Sequence, residues 1–364
     1  MTLDLGWVER SWRRAWMHSI GAASAGDRVA SIPDWDARPW SILYLRSQGI
    51  GDMILATGVL RAIARAHPTI ALDVLTTEAA APVLENNPYV RRVHATDKSF
   101  ATSLALATKL RRARYDVIID GKITRGASFI RSPAFTMVSR ARLRIGVGGG
   151  NHHLVYNICV PRYDRTKAHM IEGSASLAAP FGVDVETTDF RPEIFLAAEE
   201  RAWAEGAWEA VARDGSTNGT RWLVNLSAGA PVRRWSDERW SALIGHLRAR
   251  QPCASIAVIG VRAERDSVQR VARASGAVAV DAPRLRDALA MVGTSERVIT
   301  SNTSVTHAAS AFSVPTVLLL ERGEDQWGSY RTPSEVAYWK GSSVASLEVE
   351  TARDAVDRML ASLG

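Results

Sequence analysis

The stretch SILYLRSQGIGDMILATGVL, residues 41–60, decides the fold of the first half of the chain. The apolar run over 41–45 predicts a buried strand, and the segment 53–68 that follows the turn has apolar residues at helical spacing, among them Leu55, Val59 and Ile63. A glycine-rich turn between a strand and a helix usually holds a dinucleotide pyrophosphate. This turn, GIGD, closes instead on an acid, Asp52. Asp52 is either a first-turn acid that the helix dipole stabilises or a general base that faces a cleft.

Length and composition indicate a globular protein of two domains. The chain has 364 residues, of which 46% are hydrophobic and 23% are charged, and a chain of this length exceeds one ordinary core. We expect no membrane span and no signal peptide. The two cysteines, Cys159 and Cys253, are interpreted as ordinary core thiols, which favours a reducing, cytoplasmic location.

A net charge of +7 is compatible with an anionic partner such as a nucleotide, a phospholipid surface or nucleic acid. The charge does not choose among these partners. It is equally compatible with an enzyme whose arginines are simply solvated.

Predicted strands and helices alternate along two stretches of the chain. In the first stretch we predict strands over 41–45, 70–76, 90–95, 115–120 and 142–147, with helices between them that include a short one in 78–88 and one at about 99–113. In the second stretch we predict strands over 221–226, 255–260, 277–281, 297–301 and 315–320, with helices near 236–250, 263–275, 284–292, 303–312 and 348–361. Strands separated by helices are typical of a parallel doubly wound sheet. The α/β chain therefore contains two Rossmann-like halves, and the weak pattern over 184–197 is the predicted linker.

Ligands of such sheets bind at the carboxyl ends of the strands, so the turn after each strand is a candidate site. In NLSAGAPVRRWSDERW, residues 225–240, the loop amides with Arg233 and Arg234 could hold a diphosphate. The alternative is a solvated basic loop anchored in the core by Trp235 and Trp240.

Two further turns carry polar residues. In VIGVRAERD, residues 258–266, Glu264 could accept a ribose diol, or it could be a surface helix cap. After the strand 297–301, Asn302, Thr303 and Ser304 offer polar side chains and free helix amides to an anion. His307 in the following helix is either a buried structural histidine or a group beside the site.

In their order and spacing, these segments resemble glycosyltransferase family 9, the heptosyltransferase family. ILYLRSQGIGDMILATGVL is similar to the family's opening strand, Gly-Asp turn and helix. LSAGAPVRRWSDERWSALI is similar to its Lys-Arg-Trp segment, and SNTSVTHAASAFSVPTVLLL to its Asp-Thr-Gly/Ser…His segment. The resemblance covers about residues 40–361. It implies the GT-B fold, in which two Rossmann-like doubly wound domains face a cleft.

The resemblance also implies an activity. The family transfers a sugar, typically heptose from an ADP donor, to a hydroxyl of lipopolysaccharide or a similar glycan, lipid-linked or protein acceptor, with inversion and without a bound metal or other cofactor. It implies that Asp52 is the catalytic base and that Arg233, in the place of the family's lysine, stabilises the leaving diphosphate. The remaining donor contacts that it implies are Gly51, Ser227, Arg234, Glu264, Asn302, Thr303, Ser304 and His307.

Two departures from the family pattern keep other functions open. Arg233 stands where the family has lysine, and Asn302 where it has aspartate. A catalytically degenerate member that binds a nucleotide or a partner protein is therefore the alternative. A dinucleotide-dependent oxidoreductase is a third hypothesis, against which the lack of a GxGxxG turn argues.

The predicted domains are an N-terminal amphipathic helical extension (1–39), an acceptor-side domain (40–190), a donor domain (191–347) and a C-terminal helix (348–364). The resemblance implies that this last helix packs back on the first domain.

The extension places apolar residues on one helical face: Leu5, Val8, Trp12 and Trp16. Its arginines lie largely elsewhere on the helix. This helix either packs on the first domain or lies on an anionic membrane surface at the inner face of the membrane. We do not expect a nucleic-acid partner.

Overall fold

The computed structural model describes residues 29, 31–97, 100–122, 136, 139–148, 155–161, 168–215, 219–341 and 343–362. The described residues divide into two compact units, with the boundary between Phe190 and Arg191. Residues 1–28 of the predicted N-terminal extension lie outside the described residues, so both interpretations of its helix stay predictions.

The described part of the first unit contains a parallel sheet of six strands in the order β3-β2-β1-β4-β5-β6. The strands are β1 (Ser41–Arg46), β2 (Ala71–Thr77), β3 (Arg92–Thr96), β4 (Val117–Asp120), β5 (Leu143–Val147) and β6 (Ile158–Val160). The described helices are α1 (Ile50–Ala66), α2 (Phe100–Ala113) and α3 (Met170–Ala175). The strand order reverses between β1 and β4, and ligands of open α/β sheets bind at such a point.

The second unit repeats this topology, again within the described residues, in the order β12-β11-β10-β7-β8-β9. Its strands are β7 (Arg221–Asn225), β8 (Ser255–Ile259), β9 (Val278–Ala279), β10 (Arg297–Ser301), β11 (Thr316–Glu321) and β12 (Ser334–Trp339). Its helices are α4 (Ala198–Gly215), α5 (Asp237–Arg250), α6 (Arg265–Ser275), α7 (Leu285–Gly293), α8 (Ser304–Phe312) and α9 (Val349–Ser362). In this second sheet the strand order reverses between β7 and β10. The predicted doubly wound parallel sheets are confirmed.

Two edge strands, β6 and β12, were not predicted from the sequence. β6 has only three residues, and β12 (SEVAYW) begins with two polar residues and buries only Ala337 and Trp339, so neither strand forms a long apolar run. An edge strand pairs on one side only and is less deeply buried than a central parallel strand, so its hydrophobic pattern is weaker. The short helix predicted in 78–88 is reduced to the 3-10 turn Ala81–Leu84.

The C-terminal helix α9 packs within the second unit. Its buried residues belong to the same core cluster as Trp240 and Trp339, and they are Ala352, Ala355, Val356 and Met359. Their spacing puts all four on one helical face, and α5 and β12 cover that face. The packing of this helix on the first domain, which the resemblance implies, stays a prediction.

The interpretation of both cysteines as core thiols is wrong. Cys159 on the edge strand β6 and Cys253 in the turn before β8 are both exposed and free. A short edge strand and a tight turn bury few side chains, and for this reason neither thiol reaches the core.

Helix α1 lies very close to the end of the first unit at Gly58. A Cβ atom at Gly58 would be 2.1 Å from the carbonyl oxygen of Phe190, a distance that no side chain tolerates. The glycine therefore permits the close approach that positions α1, and with it the acid in the first turn of this helix.

Candidate functional site

Asp52 lies at the carboxyl end of β1, in the first turn of α1. Its Oδ1 atom is 2.8 Å from Nη2 of Arg46, and its Oδ2 atom accepts a hydrogen bond of 3.1 Å from the backbone N–H of Gly49. A quarter of the Asp52 side chain (25%) remains exposed. The carboxylate is thus held in one orientation and is still accessible, as a general base must be.

Arg46, the last residue of β1, is the group that orients this carboxylate. Its side chain is only 1% exposed. The guanidinium donates to the Asp52 side chain, to the Asp52 backbone oxygen at 3.2 Å and to the backbone oxygen of Gly121 on the neighbouring chain segment. Sequence reasoning missed Arg46, although a charged residue that ends an apolar central strand is a usable signal.

A second carboxyl group, Asp120, ends the adjacent strand β4. It is buried, and it accepts hydrogen bonds from the hydroxyl of Tyr156 and, at 3.0 Å, from the backbone N–H of Lys122. Burial raises the pKa of Asp120 above its usual range. The two carboxyl groups therefore differ in environment, and Asp52 is the accessible one, which could take a proton from a substrate.

In the second unit, three of the predicted donor residues come together. The hydroxyl of Ser227, after β7, donates to Oε2 of Glu264, after β8, at 2.8 Å, and it accepts from the backbone N–H of Val261 at 2.8 Å. Nε of Arg234 lies 3.7 Å from Oε1 of Glu264. Glu264 is buried, with 7% exposure, so the interpretation as a surface cap is wrong and its carboxylate belongs to a shared polar cluster.

Asn225 joins this cluster to the loop after β10. Its side chain is buried, and its Nδ2 atom is 3.0 Å from the hydroxyl of Thr300, 3.4 Å from that of Thr303 and 3.3 Å from the backbone oxygen of Ser227. Sequence reasoning missed Asn225 too. The signal was again a polar residue at the end of a buried central strand.

The loop after β10 begins α8. Thr303 is the N-cap, and its hydroxyl accepts a hydrogen bond of 3.2 Å from the backbone N–H of Val305. Asn302 and Ser304 on either side are half-buried. The hydroxyl of Ser301 is buried and has no hydrogen-bond partner among the described residues. A helix N-terminus beside a buried, unpartnered hydroxyl is suited to a polar, anionic ligand.

His307 is buried in α8, and its ring centroid is 6.4 Å from that of Trp327. Its burial agrees with the interpretation as a buried structural histidine, and its role as a contact of the donor stays a prediction.

Arg233 and Arg234 differ in their surroundings. Arg233 ends the 3-10 turn Pro231–Arg233 and is half-buried, and within the described residues its side chain forms no hydrogen bond or ion pair. Trp235 and Trp240 are buried edge-to-face with ring centroids 5.2 Å apart, which confirms them as core anchors of this loop. The role of Arg233 in holding a diphosphate stays a prediction.

Where the structure describes the chain, it shows no group of three or more His, Cys, Asp or Glu side chains placed to hold a metal ion. Within the same residues, no helix is long and apolar enough to cross a membrane.

The model of the family described as glycosyltransferase family 9 (heptosyltransferase) matches residues 103–331, more than half of the chain. The chain belongs to glycosyltransferase family 9. In this family 9 protein, the matched range includes the polar residues around Glu264 in the second unit. Asp52 and its turn lie before the first matched residue.

Known relatives of the family 9 protein are distant in sequence but similar in fold. Lipopolysaccharide heptosyltransferase 3 of Escherichia coli (strain K12) is 20% identical over 210 residues, which are 55% of this chain and 58% of that protein. The chain thus spans less than two thirds of the length of this curated relative.

Two solved structures show the fold. The glycosyl transferase family 9 protein of Veillonella parvula is 17% identical with a TM-score of 0.73, and the alignment covers 90% of this chain and 99% of that one. E. coli heptosyltransferase WaaC, solved with ADP, is 18% identical with a TM-score of 0.68, and 88% and 98% of the two chains are covered. The predicted GT-B fold is confirmed.

We expect Arg46→Lys to reduce the transfer rate of the family 9 protein about tenfold, which corresponds to about 1.4 kcal/mol of transition-state stabilisation. Lysine keeps the positive charge but loses the planar fork that contacts Asp52 and Gly121 together. Steady-state kinetics measure the effect, and nucleotide affinity serves as the internal control because the contacts of Arg46 lie in the first unit. An unchanged rate would show that Asp52 needs no orientation by Arg46.

Proposed function

We propose that this family 9 protein is an inverting glycosyltransferase that moves a sugar from a nucleoside diphosphate donor to a hydroxyl group of a glycan, lipid-linked or protein acceptor. Heptose is the proposed sugar and ADP the proposed nucleotide. The observation that carries the proposal is the carboxylate of Asp52, held by Arg46 and Gly49 at the carboxyl end of β1 and still accessible. The similarity in fold to a heptosyltransferase that was solved with ADP supports the choice of nucleotide.

Asp52 is the proposed general base. Its carboxylate takes the proton of the acceptor hydroxyl while the hydroxyl oxygen attacks the anomeric carbon of the donor sugar. The bond between that carbon and the diphosphate oxygen breaks, and the diphosphate leaves with the electron pair. Because attack and departure take place on opposite faces of the sugar, the anomeric configuration is inverted.

The second unit supplies the groups that stabilise the leaving diphosphate. Negative charge develops on its oxygen, and preorganised cations and amides stabilise such charge most effectively. Arg233, Arg234 and the first backbone amides of α8, at Ser304, are the proposed donors. The Gly51 amide in the first turn of α1 and the Asn302 side chain are proposed contacts of the donor sugar.

Glu264 is the proposed ribose ligand. An ionised carboxylate has about four acceptor positions, and the Ser227 hydroxyl occupies one of them on Oε2. The remaining positions suit the two hydroxyl groups of a ribose.

The test is a thermal-shift panel with ADP, UDP, GDP, CDP and NAD. A ligand that binds only the folded state stabilises it by about 2.7 kcal/mol at a hundred times its dissociation constant. We expect a selective shift with ADP. A preference for UDP or GDP would contradict the proposed ADP donor, a preference for NAD would support an oxidoreductase, and no shift at all would contradict nucleotide binding.

A catalytically degenerate member is the second candidate function, because Arg233 and Asn302 depart from the family pattern. Release of ADP from ADP-heptose in the presence of acceptor glycan distinguishes the active enzyme from the degenerate member.

We further propose a cytoplasmic location with the acceptor reached at the inner face of the membrane. Sedimentation with anionic vesicles before and after deletion of residues 1–25 tests this membrane contact.

We expect Glu264→Gln to weaken ADP binding about tenfold. A hydrogen bond to a charged group contributes about 1.5–3 kcal/mol, and about 1.4 kcal/mol is a factor of ten in affinity. Calorimetric titration measures the loss, and Glu209→Gln, an exposed acid on α4, is the matched control. With 2′,3′-dideoxy-ADP, a deoxynucleotide that lacks both ribose hydroxyl groups, the wild type and Glu264→Gln should bind alike. If the variant lost as much affinity for the deoxynucleotide as for ADP, Glu264 would not be a ribose ligand.

A further inference from the structure

A cavity of about 1010 Å³ lies at the amino end of β4 and β5 in the first unit. The last turn of α2 and the turns that lead into the two strands form its walls. Five arginines are among the described residues that line it: Arg111, Arg112, Arg114, Arg140 and Arg142. This end of the strands is opposite to the end that carries Asp52 and Asp120, so the cavity is separate from the site described above.

Among the described residues that line the cavity, no free carboxylate faces the arginines. The acidic residue in this set, Asp116, is already bound to Arg38, with Nη2 and Oδ1 2.7 Å apart, and to the backbone N–H and hydroxyl of Ser41. Within the described residues, no hydrogen bond or ion pair joins any of the five guanidinium groups to another side chain or to the backbone. All five residues are exposed.

The helix dipole explains the presence of arginine at only two of the five cavity positions. Arg111 and Arg112 lie in the last turn of α2, where cations stabilise the helix dipole. The other three lie on turns. Arg114 and Arg140 have φ angles of 51° and 56°, a left-handed conformation that favours glycine or asparagine over arginine. Local backbone preference therefore does not explain why arginine occupies these turns.

We infer that this cavity is a binding site for a phosphate-bearing anion. Guanidinium groups bind phosphate oxygens in pairs of parallel hydrogen bonds, and five exposed guanidinium groups line this one cavity. The volume is at the upper end of small-molecule sites, so it accommodates a group with several phosphates. A phospholipid headgroup and a soluble polyphosphate present this same chemistry. The inference does not depend on the proposed transfer reaction.

The test compares two variants that lose the same charge. The cavity variant carries Arg111→Gln, Arg112→Gln and Arg142→Gln, which leaves the two left-handed positions unchanged. The control variant carries Arg201→Gln, Arg213→Gln and Arg273→Gln, three exposed arginines on α4 and α6 of the second unit. An unchanged Tm establishes that both variants are folded.

The first probe is inorganic pyrophosphate, titrated calorimetrically at an ionic strength of about 0.15 M to suppress long-range attraction. The second is sedimentation with phosphatidylcholine vesicles, with and without phosphatidylglycerol. We expect the cavity variant to lose at least about tenfold in affinity for one or both probes, and the control variant to lose less than about twofold.

The two binding measurements, which are the two arms of the test, identify the source of the phosphate. Cavity-dependent retention on phosphatidylglycerol vesicles indicates a lipid headgroup, and cavity-dependent binding of pyrophosphate without vesicle retention indicates a soluble ligand. Equal losses in the two variants, or equal binding by wild type and cavity variant in both arms, would overturn the inference. Because the test needs neither donor nor acceptor, its failure is distinguishable from a failure of the proposed transfer activity.

Discussion

The Asp52→Asn variant is expected to transfer sugar about a hundred to ten thousand times more slowly than the wild type, the range that general-base catalysis contributes. Asparagine has the shape of aspartate and still accepts a hydrogen bond from Arg46 through its amide oxygen, but it takes no proton from the acceptor hydroxyl. The nucleotide contacts proposed here lie in the second unit, on loops that Asp52 does not belong to. The affinity for ADP should therefore stay within about twofold of the wild-type value, a change of less than about 0.5 kcal/mol.

Rate and affinity are measured separately for this variant, by ADP release with acceptor glycan and by calorimetric titration of ADP. Glu199→Gln, which removes an exposed first-turn acid from α4, controls for the loss of a charge beside a helix N-terminus. Wild-type transfer by Asp52→Asn would exclude Asp52 as the base. A large loss of ADP affinity would instead assign Asp52 to nucleotide binding.

The Arg286→Ala variant is expected to lose about 3–5 kcal/mol of stability, the cost of leaving one member of a buried ion pair without its partner. Arg286 is 4% exposed, and the side chain of its partner Glu200 is 10% exposed. The guanidinium donates to both carboxylate oxygens of Glu200, with Nε 2.7 Å from Oε1, and to the backbone oxygen of Phe195 at 2.6 Å. Removal of the cation leaves both oxygens of a buried carboxylate without that donor.

Thermal unfolding measures this loss, and the expected fall in Tm of the second unit is about 10 °C. Arg250→Ala is the matched control. Nε of Arg250 is 3.0 Å from Asp357, but both side chains are more than one third exposed, so the control should cost no more than about 1 kcal/mol. Equal effects of the two substitutions would show that burial does not strengthen the Arg286 pair.

The pH dependence of the same pair has a definite sign. The hydrogen bonds from Arg286 hold the pKa of Glu200 below its usual value. A carboxyl group with a lowered pKa in the folded state stabilises the protein above its unfolded-state pKa, about 4.3, and loses this contribution as the pH falls through the folded-state value. The difference in Tm between wild type and Arg286→Ala should therefore be constant from about pH 6 to 8 and narrow below about pH 4. A difference that widened on acidification would contradict this assignment.

Local patterns in the sequence were sufficient to predict the two doubly wound sheets and the accessible acid. Central parallel strands are buried on both faces, so they form continuous apolar runs that are visible without any tertiary information. The Gly-Asp turn that follows such a run located Asp52 at the carboxyl end of β1, where ligands of these folds bind. The clustering of Ser227, Arg234 and Glu264 also agreed with the rule that strand ends meet at one edge of a sheet.

The sequence by itself determined which segments are strands and helices and which polar residues follow the strands, because strand and helix periods are properties of neighbouring residues. Only the tertiary structure decided that Arg46 holds Asp52 and that Asn225 joins two loops 75 or more residues apart. Only it placed α9 in the core of the second unit and both cysteines at the surface. These contacts depend on strand order and on the close approach of elements that are distant in the chain, and no local period records that order.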